Sequence, residues 1–571
     1  MPAGRPRSLV KLVELVLLVG AVAAAWWLAG TGTSAWLARV ARLGIAAPAA
    51  ADVGALAHQA AIYFTAGVIA LAVARALGPG ARLVRRRVPD ANEPISIPWL
   101  IPAAVICALF GFAIQLATVE VARGVALLPT AADFARGFMI GSFVAAVVLV
   151  TPFDLGELAI RGQRGIAVAI AAIFAALAIA GSGPAGSGTR INLGPLQPIE
   201  IVKPLAIAFL AAYLGTRAPK LRWQRRRVLG LRWPRIELLA PAVAVLVAII
   251  AGLYVIGDLG PVLLLALVFL GMFFVASRAT GWVVVALALL AAMLAVFYVA
   301  PDLAGGGTVK TRLVMWRDPW TNGMTNGHQL GEGLWAMSAG GWSGQGLARG
   351  LTPIIPAGKT DLVLATLTEQ LGARALLAYE LVLSTLVVGA LVVAARTRTA
   401  VRVLMASGIA VLVLAQWLVI LGGTLGYLPL TGIVVPFVSS GKSSMIVFLA
   451  VVALVARLAD DGGVRVRSAE LDELHGAARG VAAAASVLVV VAMAASVFAA
   501  VGHRVETSAR GIVTRLADGT LVHRMNARLV VLAARVQRGS ILDRTGAPLA
   551  VSTSKRTYPL GDALGTLLGI S

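Results

Sequence analysis

The sequence has few of the side chains from which disulfide scaffolds and metal sites are built. Its 571 residues include one cysteine, Cys107, so no intrachain disulfide can form. The five histidines are scattered along the chain without the spacing of metal ligands. The composition therefore excludes a disulfide-based scaffold and argues against a histidine-based metal site.

Charged residues are also scarce. They make up 13% of the sequence, whereas 59% of the residues are hydrophobic and the mean hydropathy is +0.89. A soluble protein of this length needs far more charge to cover its surface. Acidic residues are outnumbered by basic ones, 26 against 49, which gives a net charge of +23. In a membrane protein this excess is first a topology signal, because short cytoplasmic loops collect Lys and Arg. The basic loops are therefore not read as a nucleic-acid surface.

Long apolar runs dominate the rest of the sequence. A membrane-spanning helix needs about 17 to 25 mostly apolar residues. Such runs lie near 9–30, 60–78, 95–118, 136–152, 166–182, 200–215, 237–257, 260–276, 280–300, 373–395, 403–424, 440–458 and 479–501. They predict an all-α polytopic membrane protein with about twelve helices in its main part and one further helix. Residues 502–571 alternate short β-prone runs with turn signals, which predicts a short α/β fragment.

The basic clusters predict the orientation in the cell membrane. They are Arg82, Arg85, Arg86 and Arg87, the loop 216–235, and Arg396, Arg398 and Arg402. All three fall on one side if thirteen spans are counted from a cytoplasmic N-terminus. The long loop 301–372 and the C-terminus are then extracytoplasmic.

This loop, 301–372, is the main polar interruption of the apolar pattern. Long connections are usually either functional or disordered. Its tryptophans, glycines and charged residues argue against disorder. We therefore take it as the candidate active region.

Ionisable residues at or within the apolar runs are further candidates, because charge is costly in a bilayer. They are Glu200, Lys203, Asp258, Glu369 and Glu380. A position at the end of a span, in headgroup water, is the alternative for each. Glu200 and Lys203 are three residues apart on one helix face and can pair with each other.

Asp361 opens the helix that follows the loop. A carboxylate at a helix start can be an N-terminal cap. It can also be a general base that faces outward, with Lys310, Arg312, Arg349 and Lys359 near enough in sequence to bind a phosphate group. The spacing alone leaves both interpretations open.

Six blocks of sequence, in order, resemble the SEDS family, the FtsW/RodA group of peptidoglycan polymerases. They are PLQPIEIVKPLAI (195–207), GDLGPVLL (257–264), KTRLVMWRDPW (310–320), HQLGEGLWAMSAGGWSGQGLARG (328–350), IPAGKTDLVLATLTEQLG (355–372) and LPLTGIVVPFVSSGKSS (428–444). The resemblance covers roughly residues 180–460. Ala357, Lys359 and Leu362 depart from the family's usual Glu, His and Phe.

The resemblance implies a peptidoglycan glycosyltransferase that polymerises lipid II outside the membrane and releases undecaprenyl pyrophosphate, in division or cell-shape maintenance. The essential aspartate of the family falls on Asp361. Basic positions of the family fall on Lys310, Arg312 and Arg190, which suit the pyrophosphate. The resemblance further implies that the cavity is lined by Gln197, Glu200, Lys203, Asp258, Glu369 and Lys442.

The implied partners are lipid II, the nascent glycan strand, a class B penicillin-binding protein and divisome or elongasome proteins. No cofactor is assigned. A divalent cation such as Mg²⁺ that bridges Asp361 or Glu369 to pyrophosphate is chemically reasonable, but no ligand spacing supports it. A lipid II flippase and an idle scaffold for a separate transpeptidase are the rival functions.

The C-terminal sequence QRGSILDRTGAPLAVSTSKRTYPLG (537–561) resembles the start of a class B penicillin-binding protein. Its Ser552–Lys555 string matches Ser-x-x-Lys but lies in the pedestal and lacks the companion motifs. The predicted organisation is 1–180 for N-terminal helices extended relative to the family and 181–460 for the SEDS core. A cytoplasmic linker (461–478), an anchor helix (479–501) and a partial pedestal without a transpeptidase domain (502–571) follow.

Overall fold

The structure is a computed structural model. It describes residues 7–42, 49–77, 97–118, 120–122, 125–127, 129–151, 154–183, 189–223, 225–228, 231–258, 260–304, 307–325, 327–351, 354–460, 469–502, 504–516, 518–529, 540–552 and 556–557. The basic cluster Arg82–Arg87, the first half of the predicted linker, and most of the Ser552–Lys555 string lie outside these residues.

Helices form most of the described chain. They are α1 (Arg7–Arg42), α2 (Ala50–Leu77), α3 (Leu100–Ala117), α4 (Pro129–Val150), α5 (Leu155–Arg161), α6 (Gln163–Ala180), α7 (Ile199–Gly215), α8 (Ala218–Trp223), α9 (Ile236–Val255), α10 (Gly260–Ser277), α11 (Thr280–Val299), α12 (Gly307–Arg317), α13 (Gln329–Gly340), α14 (Val363–Leu371), α15 (Ala373–Ala394), α16 (Ala400–Thr424), α17 (Lys442–Asp460), α18 (Ala469–Val497) and α19 (Arg504–Ala509).

The strands are short and pair as local hairpins. They are β1 (Glu120–Ala122), β2 (Val125–Leu127), β3 (Arg225–Val228), β4 (Leu231–Pro234), β5 (Ile512–Arg515), β6 (Leu521–Arg524), β7 (Ile541–Leu542), β8 (Pro548–Ser552) and β9 (Arg556–Thr557). The pairs β1–β2, β3–β4 and β5–β6 are antiparallel, and β7, β8 and β9 form a three-stranded sheet. The C-terminal strands agree with the predicted α/β fragment.

The predicted spans correspond to helices. Within the described residues, twelve helices of at least 18 residues are long and apolar enough to cross a membrane. The one predicted span that is not among these twelve lies near 200–215. It is α7, which has 17 residues and an internal proline. The prediction of an all-α polytopic membrane protein is confirmed.

The bundle is built around α16. This helix is apolar on all sides, and most of it is buried, because α7, α10, α15, α17 and α18 pack around it. A helix that is apolar all round belongs in a protein core or in a membrane. At the periphery, α11 is equally apolar, yet none of its residues, all of which the structure describes, is buried. Its surface therefore suits contact with lipid.

Glycines let neighbouring backbone segments pack closely against the helices. A Cβ built at Gly215 would lie 2.9 Å from the Cα of Val401, and one built at Gly111 would lie 2.5 Å from the carbonyl oxygen of Phe437. Small residues at helix crossings are typical of membrane bundles, where close packing replaces the hydrophobic effect.

The long polar region 301–372 is largely helical. A short 3₁₀ turn, Pro301–Ala304, is followed by α12, α13 and α14. Glycines provide the sharp turns between the helices, with positive φ at Gly341, Gly344, Gly346 and Gly372. The region is thus a folded cap on one end of the bundle.

The helix α18 begins earlier than the predicted anchor helix, 479–501. Residues 469–478, expected to be linker, are the first turns of α18. Their mixed charge is compatible with a helix because Glu470 and Asp472 lie in its first turn, where the helix dipole favours carboxylates, while Leu471 and Leu474 are buried. The helix continues through a π-helical turn, Phe498–Gly502.

Candidate active site

Asp361 lies in the turn that precedes α14. The amides of Thr360 and Leu362 both donate to the carbonyl oxygen of Ala357, which has a positive φ of 54°. The N-cap position belongs to Leu362, and no side chain among the described residues caps the helix. Asp361 is partly buried. Its carboxylate is therefore available for a role other than capping.

Three polar groups from distant parts of the chain fix this turn by its backbone. The hydroxyl of Ser439 donates to the carbonyl oxygen of Thr360 at 2.7 Å, and the amide of Ser440 donates to that of Lys359 at 3.0 Å. The side-chain amide of Gln115, in α3, donates to the same Lys359 oxygen at 3.2 Å. The position of Asp361 is thus set by α3 and by the segment that leads into α17.

Opposite charges lie around Asp361. Burial raises the pKa of its carboxyl, the guanidinium of Arg312 and a hydrogen bond from Thr360 lower the pKa, and the Asp258 carboxylate raises it. The result is a pKa above the ordinary value. Arg312 and Asp258 therefore lie within electrostatic reach of Asp361.

Asp258 shares the cation Arg312 with Asp361 and also interacts with two charged residues of α7. Burial raises its pKa, while a hydrogen bond from the Gly260 amide, at 3.3 Å, and the cations Arg312 and Lys203 lower it. Glu200 acts in the opposite direction and raises the pKa of Asp258. Asp258 lies between α9 and α10, as the predicted spans 237–257 and 260–276 place it.

Lys203 and Glu200 form a buried ion pair in α7. The Nζ atom of Lys203 lies 2.7 Å from Oε1 of Glu200, as their i, i+3 spacing predicted. Nζ also donates to the side-chain oxygen of Gln416 at 3.3 Å, and the Gln416 amide donates to the Val434 carbonyl oxygen. Gln416 was not among the predicted site residues, although an amide side chain inside the apolar run of α16 indicates a buried polar site.

The structure therefore brings together five of the predicted site residues. They are Asp361, Arg312, Asp258, Lys203 and Glu200. The group holds two cations and three carboxyls. Burial is the main cause of the raised pKa of both aspartates; the neighbouring cations lower the pKa, and the neighbouring carboxylates raise it.

The other predicted basic residues have different partners. Lys310 pairs with Asp302 at 2.6 Å, Lys442 pairs with Asp133 at 3.0 Å, and the guanidinium of Arg190 donates to the carbonyl oxygen of Ala178. Gln197 is joined to the start of α17 through its backbone amide, which donates to Ser443 Oγ at 2.8 Å. Their roles as substrate ligands stay predictions.

Glu369 is part of a separate charge network. Its Oε1 lies 2.6 Å from Nε of Arg528, and the same oxygen accepts from the Leu351 amide at 3.1 Å. Arg528 also contacts Oε2 of Glu332 at 3.1 Å, and Arg524 lies 3.4 Å from the other oxygen of Glu332. This network joins the C-terminal segment to α13 and α14.

Further contacts fix the C-terminal segment on the cap. The indole of Trp335 donates to the carbonyl oxygen of Arg510, and the hydroxyls of Ser338 and Ser508 lie 3.0 Å apart. The amide of Val513 donates to the carbonyl oxygen of Trp320 at 2.6 Å. The fragment after α18 is thus packed on the cap through both side chains and backbone.

In the described part of the chain, twelve helices long enough to cross a membrane, the shorter α7 and an acid–base cluster at one end of the bundle define a polytopic membrane protein with a buried polar site. The chain belongs to the FtsW, RodA and SpoVE family, whose model, described as "Cell cycle protein", matches residues 103–462. The match begins inside α3, so α1 and α2 precede it, and it ends before α18. The resemblance to the SEDS family is confirmed.

Two relatives carry the name "Peptidoglycan glycosyltransferase RodA". The chain is 31% identical to that of Mycobacterium leprae (strain TN) over 273 residues, 48% of this chain and 58% of that protein. It is 31% identical to that of Mycobacterium bovis (strain ATCC BAA-935 / AF2122/97) over 322 residues, 55% of this chain and 67% of the relative. The chain thus aligns with less than two thirds of the first of these relatives.

A solved structure shares the fold. The chain resembles, with a TM-score of 0.50, one from "Structural coordination of polymerization and crosslinking by a peptidoglycan synthase complex". The sequences are 22% identical, and the likeness covers 65% of this chain and 98% of the other. Because the family match ends at residue 462, the resemblance of 537–561 to a class B penicillin-binding protein stays a prediction.

Proposed function

We propose that the chain is a peptidoglycan glycosyltransferase that polymerises lipid II on the outer face of the cell membrane, for division or cell-shape maintenance. One observation carries the proposal. A carboxylate with a raised pKa, Asp361, lies within electrostatic reach of the Arg312 guanidinium at the capped end of the bundle. A base beside a cation is what transfer of a sugar from a pyrophosphate requires.

In this reaction Asp361 acts as the general base. It accepts the proton of the attacking sugar hydroxyl while the hydroxyl oxygen forms a bond to the anomeric carbon of the growing chain. The bond from that carbon to the pyrophosphate oxygen breaks, and undecaprenyl pyrophosphate leaves with the electron pair. A carboxylate whose pKa is raised toward the working pH is a stronger base than an ordinary aspartate.

Arg312 supplies positive charge where negative charge develops. The guanidinium stays charged and suits phosphate oxygens, and a fixed donor at a developing anion lowers the barrier. Asp258 interacts with Arg312 and with the buried ion pair Lys203–Glu200. This assignment leaves Lys310 at the exposed edge, where it can meet substrate only by leaving Asp302.

The proposed orientation places this site outside the cytoplasm. The ion pair Lys442–Asp133 and the hydrogen bond from Gln197 to Ser443 show that the N-terminal ends of α4, α7 and α17 meet. The turn of Asp361 contacts Ser439 and Ser440 at the same end. With the N-terminus cytoplasmic, as the arginine clusters indicate, alternation of the spans makes this end extracytoplasmic.

A transpeptidase of the class B penicillin-binding type is the proposed partner. The support is the resemblance of residues 537–561 to such a protein, together with the docking of the preceding segment on α13 and α14. Divisome or elongasome proteins remain expected partners from the family resemblance.

Glu369 does not fit the Mg²⁺ bridge considered from the sequence. Its carboxylate faces two donors, the Arg528 guanidinium and the Leu351 amide, which take the place that a cation would need. A bridge from Asp361 to pyrophosphate stays a prediction.

The test is polymerisation of lipid II by the purified full chain in liposomes. We expect glycan polymer from the wild type and none from Asp361→Asn at equal expression. Asp518→Asn is the matched control, because Asp518 is an exposed carboxylate of the C-terminal segment that packs on the cap. Polymer from Asp361→Asn at the wild-type rate would remove Asp361 as the base.

The rival functions give different outcomes. Movement of labelled lipid II across the liposome without polymer from any variant would establish a flippase. Polymer that forms only after a separate class B penicillin-binding protein is added would establish that the chain needs an activating partner. An idle scaffold would give polymer in none of these mixtures.

A further inference from the structure

The side chain of Arg312 ends on a two-residue turn that follows α16. Its Nη1 donates to the carbonyl oxygen of Thr431 at 2.8 Å. The next residue, Gly432, has a φ of +72°, and a Cβ built there would lie 2.5 Å from Nη2 and 3.2 Å from Cζ of Arg312. The guanidinium therefore occupies the space that a side chain at position 432 would take.

The same turn contacts the residue that binds Asp258. A Cβ built at Gly260 would lie 2.2 Å from the Thr431 carbonyl oxygen and 3.3 Å from Oδ1 of Asp258. The Gly260 amide donates to that same Oδ1 at 3.3 Å. The Thr431 carbonyl thus packs against Gly260 on one side and accepts from Arg312 on the other.

The segment that begins with this turn also fixes Asp361. Ser439 and Ser440 bind the carbonyl oxygens of Thr360 and Lys359. Two further bonds hold this segment: the Val435 amide donates to Ser439 Oγ within it, and the hydroxyl of Tyr379, in α15, donates to the Pro436 carbonyl oxygen. One segment, 431–440, therefore contacts the turn that carries Asp361, the cation Arg312 and the neighbour of Asp258.

We propose that the Thr431–Gly432 turn is a positioning element that sets the place of the Arg312 guanidinium between Asp258 and Asp361. The Thr431 carbonyl oxygen aims the guanidinium, and the missing side chain of Gly432 gives it room. This inference rests on the proposed function, because it assigns the turn a role in the same site.

A requirement for a positive φ is the competing explanation for Gly432. Asparagine separates the two, because it tolerates a positive φ but carries a Cβ. Gly426 supplies a matched control in the same loop: its φ is +78°, and a Cβ built there would meet a single atom, Cδ2 of Leu330, at 3.9 Å.

The experiment compares pH–rate profiles of lipid II polymerisation. The guanidinium of Arg312 lowers the pKa of Asp361, so displacing it raises that pKa further. Two charged residues interact with Asp361: Arg312, which lies in α12, and Asp258, which precedes α10. Lys203 and Glu200, both in α7, interact in turn with Asp258. We expect Gly432→Ala, Gly432→Asn and Arg312→Gln all to move the acid limb to higher pH, and Gly426→Asn to leave it in place.

Double variants make the test independent of simple misfolding. Lysine is smaller at its tip, so Gly432→Ala should reduce the rate by a smaller factor in Arg312→Lys than in the wild type. Gly432→Ala should also add no shift to the profile of Arg312→Gln, because the two changes remove one interaction. Multiplicative losses in both backgrounds would overturn the proposal.

The failures of the two proposals are distinguishable. Polymer from Asp361→Asn would reject the assigned base, whatever position 432 does. Inactive Asp361→Asn combined with an unshifted profile for Gly432→Asn would reject the positioning role alone. Thermal unfolding of each variant in detergent identifies a loss of rate that comes from loss of folded protein.

Discussion

Nε of Arg528 lies 2.6 Å from Oε1 of Glu369, and the side chains are 3% and 1% exposed. The two residues are 159 positions apart in sequence and join the C-terminal segment to the cap. Arg528 also contacts Glu332, which has Arg524 as a second cation, so two guanidiniums compensate two buried carboxylates. Buried charges of this kind are tolerated only when they are paired.

Replacing Arg528 should therefore loosen the C-terminal segment. Arg528→Met leaves Glu332 and Glu369 without their shared cation, and breaking a buried pair costs about 3–5 kcal/mol. We expect faster hydrogen exchange in α13 and in β5–β6, and faster proteolysis after α18. Arg510→Met is the control, because Arg510 and its partner Glu506 are exposed. Equal behaviour of the two variants would contradict a structural role for the Arg528 network.

The polymerisation rate should depend on pH with a displaced acid limb. Burial is the main cause of the raised pKa of Asp361, so the active carboxylate form is lost at a higher pH than for an ordinary aspartate, about 3.9. The rate should rise with pH through the raised pKa and then level off. Arg312→Gln should move this limb upward. A limb at the same pH in both proteins would show that another group controls it.

Removing one partner of the Lys203–Glu200 ion pair in α7 should destabilise the protein more than replacing both partners by apolar residues. Lys203→Met leaves Glu200 buried without its cation, with a cost of about 3–5 kcal/mol, whereas an apolar pair in place of both charges can be near neutral. We expect Lys203→Met to lower the unfolding temperature in detergent. Lys203→Met combined with Glu200→Leu should recover most of the loss. Additive losses in the double variant would disprove the pairing.

A hydrogen bond joins α18 to the core of the bundle. Oε1 of Glu380 in α15 accepts from the hydroxyl of Ser496 at 2.7 Å, and both side chains are fully buried. Such bonds between spanning helices contribute about 0.6 kcal/mol on average. Ser496→Ala should lower thermal stability in the wild type and change little in Glu380→Leu. The same loss in both backgrounds would show that the two residues are not coupled.

The sequence predicts the spans well because hydropathy is a local property. Each of the thirteen runs became a helix, and the pairing of Glu200 with Lys203 follows from spacing within one turn. The charge network around Glu369 could not be predicted from the sequence. Its cation comes from a segment 159 residues away, and no pattern near Glu369 indicates it.

The internal structure of the cap was only partly predicted. The helix that begins near Asp361 was expected, whereas α12 and α13 were not; α13 forms where the sequence suggests a loop because its apolar face is buried against α14 and the bundle. Lys310 shows the limit of proximity in sequence: it is two residues from Arg312, but its side chain pairs with the exposed Asp302.

The turn that carries Asp361 is bound through the carbonyl oxygens of Lys359 and Thr360, by Ser439, Ser440 and Gln115. Every amino acid supplies that oxygen. A change of the side chain at position 359 therefore leaves these bonds, and with them the position of the Asp361 carboxylate, in place. Position 357 is more restricted, because its φ of 54° is unfavourable for most side chains.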